Sequence, residues 1–352
     1  MGDKKRNYGI DLLRLVLMFM VCMLHVLGAG GILEACNIGT LNHKVYWLLE
    51  VVSYCAVDSF AIMSGYMSSN KSQKYEKIVD MWFQAFFYSF ILTCILKIVC
   101  VNSNKWSGIS LIDSALPVLY GYFWYFTVYF ALFFAMPLLN KFLFEIDENS
   151  AKKAIIIIVV LFSVMGVISE PFKTNNGYSA LWIMVLYCIG VLGKKIKIFE
   201  TRKSLTLVIW FLGSVLLTWF TVEFFGKQRL VNYLSPTILL CAIIMIVLFS
   251  RFNFKGTVIS KLSPLAFGIY LFHTNKVIFD VFLTNNLAFI ADKKVIIGLL
   301  YVFGFAFLIF LSGLIVEFIR RGIAKLIGIP KLSKKIVCVI DKIITKFFVF
   351  LK

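Results

Sequence analysis

Apolar residues in this chain run in blocks of fifteen to twenty-four, separated by short polar stretches. A bilayer core about 30 Å thick is crossed by roughly 17 to 25 such residues in a helix. Each block therefore predicts a membrane-spanning α-helix. Ten blocks qualify: 10–29, 45–67, 78–101, 119–139, 154–168, 178–192, 205–222, 234–250, 264–283 and 295–318. The fifth and sixth are the shortest, at a length where neighbouring helices must cover the ends. Block 10–29 follows Lys4, Lys5 and Arg6 and ends at Gly28 and Ala29, with Gly30 next, an outline that a secretory leader shares. Nine further blocks and the ionisable residues inside it read as a retained helix. Beyond Pro330 the pattern changes. Ile336, Val337, Ile340, Ile343, Ile344, Phe347 and Phe348 recur at helical spacing, with Lys335, Lys342 and Lys346 between them. Residues 331–352 are expected to form a basic amphipathic helix on the cytoplasmic membrane surface, and residues 1–330 a single membrane domain.

Charge fixes the predicted orientation. Charged residues make up only 15% of the chain and hydrophobic residues 61%. Soluble proteins carry about a quarter charged residues, so the fold class is an all-α polytopic membrane protein. Basic residues outnumber acidic ones by 36 to 18. In a soluble chain that excess points to nucleic acid; here it points to loops facing anionic lipid. The bilayer is the expected partner, and no nucleic acid is. Alternating the ten spans from an inside N-terminus puts 26 basic residues in inner segments and 7 in outer ones. That asymmetry satisfies the positive-inside rule and predicts both termini in the cytoplasm of a multi-pass cell-membrane protein. The eight cysteines (Cys22, Cys36, Cys55, Cys94, Cys100, Cys188, Cys241 and Cys338) are scattered, with no C-x-x-C pair. They read as small apolar residues, and three histidines suggest no metal site.

Ionisable groups inside a bilayer cost several kcal/mol, so each is a candidate for function. Asp11, Arg14 and His25 lie in the first block. Arg14 and His25 are eleven residues apart, about 20° around the helix axis and about 16 Å along it. Arg14 is expected near the cytoplasmic side, with Asp11 one turn away to orient its guanidinium. His25 falls in the outer third. Asp58, on the returning second span, is expected at the depth of Arg14, where a pair would make both charges tolerable. His273 is expected near the midplane of the ninth span, with Lys276 and Asp280 on much the same face. Bland readings stand beside these: snorkelling for Arg14, a structural hydrogen bond for either histidine, and solvation for Asp280 and Lys97. His43 falls in an outer loop and carries no functional weight.

A buried imidazole suits a general base near neutral pH, and an arginine suits a phosphorylated ligand because its planar fork donates several hydrogen bonds. No G-x-S-x-G elbow, P-loop or H-E-x-x-H is present. These residues alone fit an acyl-transfer enzyme and a proton-coupled transporter equally.

A resemblance separates the two. Tyr8-Gly9-Ile10-Asp11-Leu12-Leu13-Arg14, followed after ten residues by His25, resembles the opening signature of the acyltransferase-3 family of membrane O-acyltransferases, including its R-x10-H spacing. Val57-Asp58-Ser59-Phe60-Ala61-Ile62-Met63-Ser64-Gly65-Tyr66 resembles the family's V-D-x-F-F-x-x-S-G-F block. Phe123-Trp124-Tyr125-Phe126, leading to Met136-Pro137-Leu138-Leu139, is similar to its W-F/Y-L and P-L-L helix. Ser263-Pro264-Leu265-Ala266-Phe267-Gly268-Ile269-Tyr270-Leu271-Phe272-His273 is similar to its S-x-x-S-x-G-I-Y-L-x-H block. Ala61 stands where the family has an aromatic, and Ala266 where serine or threonine is common.

The resemblance implies transfer of an acyl group, usually acetyl, from acetyl-CoA to a hydroxyl of a cell-envelope polysaccharide or lipid-linked glycan. It implies no permanently bound cofactor. By this analogy His25 is the catalytic base and Arg14 places the donor or supports the histidine. Asp11, Asp58 and His273 are supporting residues; Ser64, Trp124, Tyr125 and Lys276 contact substrate. Ser64 and Gly65 also permit close helix approach. The likeness is to stand-alone, membrane-only members, with homo-oligomers or envelope-assembly proteins as further partners. The competing expectations are a transporter or flippase of glycan intermediates and a catalytically silent partner in an assembly complex.

Overall fold

The computed structural model describes residues 6–69, 72–99, 110–226 and 228–350. Lys4, Lys5, Cys100 and the end of the third predicted span at Val101 lie outside them, as do the side chains of Phe347 and Phe348. The described residues are helical and contain no strand.

Each predicted apolar block contains helix, and several starts have a visible local cause. Helix α1 (Tyr8–Leu27) begins where the Asn7 side chain accepts from the Ile10 amide, which satisfies one of the orphan donors of a first turn. Thr40 does the same for α2 (Leu41–Tyr66). Next come α3 (Glu76–Val99), which includes a π-helical stretch at Phe87–Ile91, α4 (Trp124–Glu145) and α5 (Glu148–Ser169). The fifth predicted span looked short because its first turns are polar. Asp147 caps the Asn149 and Ser150 amides, and the helix extends to 22 residues. Ser179 caps α6 (Ala180–Lys195), which is followed by α7 (Ser204–Phe225), α8 (Pro236–Ser250), α9 (Ala266–His273) and α10 (Val295–Leu326).

Seven of these helices are long and apolar enough to cross a membrane: α1 to α5, α7 and α10. Of the other three predicted spans, α6 and α8 have 16 and 15 residues, and the ninth is interrupted. At Thr274 and Asn275 the backbone leaves the helix. The Asn275 side chain accepts from the Val277 and Ile278 amides and starts a short helix, Lys276–Ile278, followed by a π-helical turn at Phe279–Leu283. Its amide nitrogen donates to Tyr88 O at 2.7 Å and Thr93 Oγ1 at 2.8 Å on α3, so the break is held from outside.

Burial differs sharply between helices. In α1 and α2, 67% of the apolar window is buried, against 17% in α10. The first helix is thus central to the bundle. Gly65 of α2 lies against the backbone of Tyr187 on α6, and Gly190 of α6 against that of Ile62 on α2. A side chain at either glycine would collide with main chain, so the pair sets a close contact between α2 and α6.

The two ends of the bundle are tied separately. At one, Asn7 donates to Ser250 O and Arg251 donates to the carbonyls of Phe199 and Arg202. At the other, the amides of Asn285 and Leu287 donate to Ala29 O and Gly30 O, and Asn42 donates to Ala291 O. Helix α11 (Ile329–Phe350) follows α10 and packs on the start of α3, where Ser333 Oγ donates to Asp80 at 2.5 Å. Of the cysteines, Cys22, Cys36, Cys55 and Cys241 are buried, and Cys338 is exposed on α11.

Candidate active site

Arg14 and His25 line one cavity of about 530 Å³, with α1 as one wall. Its lining on α1 runs from Arg14 to His25, about 16 Å along the helix axis, and continues past the helix end at Gly28 and Ala29. Ser64, Trp124 and Tyr125 line it as well.

At the Arg14 end, Asp11 is the organiser. Its carboxylate receives Arg14 Nη1 at 2.9 Å, Arg6 Nε at 2.5 Å and Ser263 Oγ at 2.9 Å. Asp11 is buried, whereas the Arg14 side chain keeps 34% of its surface exposed. Asp11 therefore fixes the guanidinium one turn away while leaving other donors free for a ligand.

Farther along α1, His25 Nδ1 lies 2.9 Å from His273 Nε2, and His273 Nδ1 lies 2.6 Å from the Ile269 carbonyl. The carbonyl has no proton to give, so His273 Nδ1 is the donor there. A neutral His273 then presents a lone pair at Nε2, and His25 must donate from Nδ1. His25 Nε2 is left with the lone pair of the dyad. The break after His273 is part of this arrangement, because it closes α9 on the histidine.

The remaining expected residues divide. Ser64 Oγ donates to the Phe60 carbonyl at 3.0 Å. Trp124 and Tyr125 open α4 at the cavity wall, and the Tyr125 hydroxyl is buried with no hydrogen-bond partner among the described residues. Asp58 does not pair with Arg14. It is fully buried, absent from the cavity lining, and its Oδ1 accepts from Trp182 Nε1 on α6 at 3.3 Å. Equal depth on two helices does not imply that the side chains face each other, and Asp58 faces α6. Lys276 also stays out. Its Nζ lies 5.0 Å from the Tyr122 ring centroid, because the restart at Asn275 resets the helical phase on which the His273–Lys276 spacing rested.

The lining residues that were not expected include Glu50 and Tyr54 on α2, and Tyr178 and Tyr233 just before α6 and α8. Glu50 carried a readable signal, an ionisable residue inside an apolar block. The tyrosines carried none: Tyr178 and Tyr233 stand at span ends, where aromatics are ordinary membrane anchors, and Tyr54 is an aromatic within an apolar block.

A helical membrane bundle in which one cavity is lined by an arginine and by a histidine that is hydrogen-bonded to a second histidine is equipped for transfer chemistry. A family model described as an acyltransferase domain matches residues 7–322, and the chain belongs to that family, the acyltransferase-3 family. No curated protein and no solved structure matches it. The protein is a multi-pass membrane acyltransferase.

Proposed function

We propose that the protein transfers an acetyl group from acetyl-CoA to a hydroxyl of a cell-envelope polysaccharide or its lipid-linked precursor, at the cytoplasmic membrane. The observation that carries this reading is His25, which lines a cavity that also reaches Arg14 and is hydrogen-bonded to His273 behind it. His25 Nε2 removes the proton from the acceptor hydroxyl as its oxygen attacks the thioester carbonyl. The tetrahedral intermediate collapses, the C–S bond breaks, and the departing CoA sulfur takes the proton back from His25. His273 stabilises the transient imidazolium by accepting from Nδ1 throughout. Arg14, held by Asp11, provides donors for a phosphate of the CoA donor, and the separation of about 16 Å between Arg14 and His25 matches an extended donor with its thioester deep in the membrane. The charge asymmetry of the loops supports an Arg14 end toward the cytoplasm.

The test compares glycans from cells carrying wild type and His25→Ala. O-acetyl groups present in the first and absent in the second are expected. Unchanged acetylation with failed glycan export would favour a transporter instead, a reading to which a cavity lined from Arg14 to Ala29 lends some support. Label transfer from radioactive acetyl-CoA to the glycan fraction identifies the donor.

A further inference from the structure

Beyond His25 the cavity holds a carboxyl group with one buried oxygen that has no hydrogen-bond partner among the described residues. Glu50 is 7% exposed and lines the cavity, and that oxygen is its Oε2. Its other oxygen lies against α1 one turn from the base, since a methyl group added at Gly28 would stand 4.0 Å from Oε1. A buried polar group without a partner is unfavourable and rare, and one that faces a cavity beside a catalytic histidine has an obvious role for a ligand.

The neighbouring wall is aromatic. Tyr54, one turn along α2 from Glu50, stacks on Tyr233 at 4.6 Å and 27°. Trp124 packs against Tyr178 at 4.6 Å and lies nearly parallel to Tyr233 at 6.3 Å. The four rings lean on one another, so they form a wall rather than an open cage able to surround a cation on several sides. A carboxyl beside an aromatic wall suits a ligand with an apolar face and hydroxyls on its edge. A phosphate needs donors such as those of Arg14 rather than a carboxyl, and an alkyl chain would leave Glu50 unsatisfied. A second cavity of about 460 Å³ shares Tyr54 and is lined by Glu170, Asn176, Arg229 and Asn232, polar groups suited to further sugar units.

We propose that Glu50 and the Tyr54–Trp124–Tyr178–Tyr233 wall form the acceptor subsite, and that the acceptor is an uncharged sugar unit within a longer glycan. Glu50 receives two hydroxyls of that unit, the rings pack on its C–H face, and the hydroxyl to be acylated is presented to His25 Nε2. Glu50 is the specificity-determining residue of the reaction. This rests on the acyltransferase reading above.

The experiment uses the full-length protein in lipid nanodiscs, radiolabelled acetyl-CoA, and alkali-deacetylated polysaccharide from the producing cells. Glu50→Gln and Tyr54→Leu are expected to raise KM for the polysaccharide at least about tenfold, with KM for acetyl-CoA within twofold of wild type. Glu50→Gln keeps the side-chain shape, so a folding defect is separable, and size-exclusion behaviour reports on it. An unchanged polysaccharide KM in Glu50→Gln and Glu50→Ala would overturn the subsite. So would equal rises in both KM values, or competition with the polysaccharide by millimolar choline. A wild-type protein that labels no glycan overturns the reading on which the subsite rests, and the subsite with it.

Discussion

His25 and His273 show how much a single pair of contacts can decide. The Ile269 carbonyl fixes the proton on one ring, that ring fixes the proton on the next, and the lone pair of His25 Nε2 follows. Replacing His25 with alanine should lower acyl transfer by about 10²- to 10⁴-fold, the usual contribution of a general base. His273→Phe preserves ring volume but removes the acceptor, so transfer should fall at least about tenfold, as when the partner that orients a working histidine is lost. Radiolabel transfer measures both, and wild-type rates in His273→Phe would dismiss the tautomer chain. Arg14→Lys keeps the charge but loses the fork; at least about a tenfold loss is expected if phosphate recognition depends on it. Asp58 belongs to a different category. Asp58→Asn keeps an oxygen for Trp182 and should stay folded and active, whereas Asp58→Ala strands a buried indole N–H at about 1 to 3 kcal/mol. Thermal melting in detergent separates the two variants. The sequence flagged Arg14 and His25 by one criterion, charge in an apolar block, which Glu50 also meets but for which it was not singled out, and the sequence paired Asp58 with Arg14 instead of Trp182. A residue's depth follows from counting along its helix; its direction depends on how that helix is rotated against its neighbours.

At the scale of elements, local capping and close packing place the site. Asn275 stops one helix and starts another, which leaves His273 in the last turn of α9 and sends Lys276 to Tyr122. No periodicity argument anticipates that break, because an asparagine inside an apolar run is as compatible with an uninterrupted span as with a cap. The glycine contact between α2 and α6 was legible in part. Gly65 fell in a recognisable small-residue pair with Ser64, while Gly190 opposite it was visible only once the helices were docked. Gly65→Val or Gly190→Val should destabilise the protein by about 1 to 3 kcal/mol or more through overpacking, read as a lowered thermal midpoint. Wild-type stability in both variants would mean that the helices have room to separate.

At the scale of the molecule, the cavity joins features that are far apart in the chain: Arg14 on α1, Ser64 on α2, Trp124 on α4 and Tyr233 before α8. If donor and acceptor meet inside it, filling the stretch between Arg14 and His25 should stop the reaction without touching either. Val21 lines that stretch, and Val21→Trp is expected to cut acyl transfer by at least about tenfold in protein that remains monodisperse, since misplacement of reactants by about 1 Å already costs on the order of 10² in rate. Full activity in this variant would put the reaction elsewhere.

Sequence alone determined the membrane class, the helical blocks and the two residues of α1 that the site is built on, because transfer free energies into a bilayer depend on composition and order along the chain. The family resemblance added the chemistry. Tertiary structure decided which of the expected residues share a cavity: it joined His25 to His273, gave Asp58 to Trp182, removed Lys276, and brought Glu50 and three tyrosines to the wall. Those outcomes depend on helix rotation, on a break fixed by contacts from another helix, and on glycine-set distances, none of which is encoded in the order of residues along a single span.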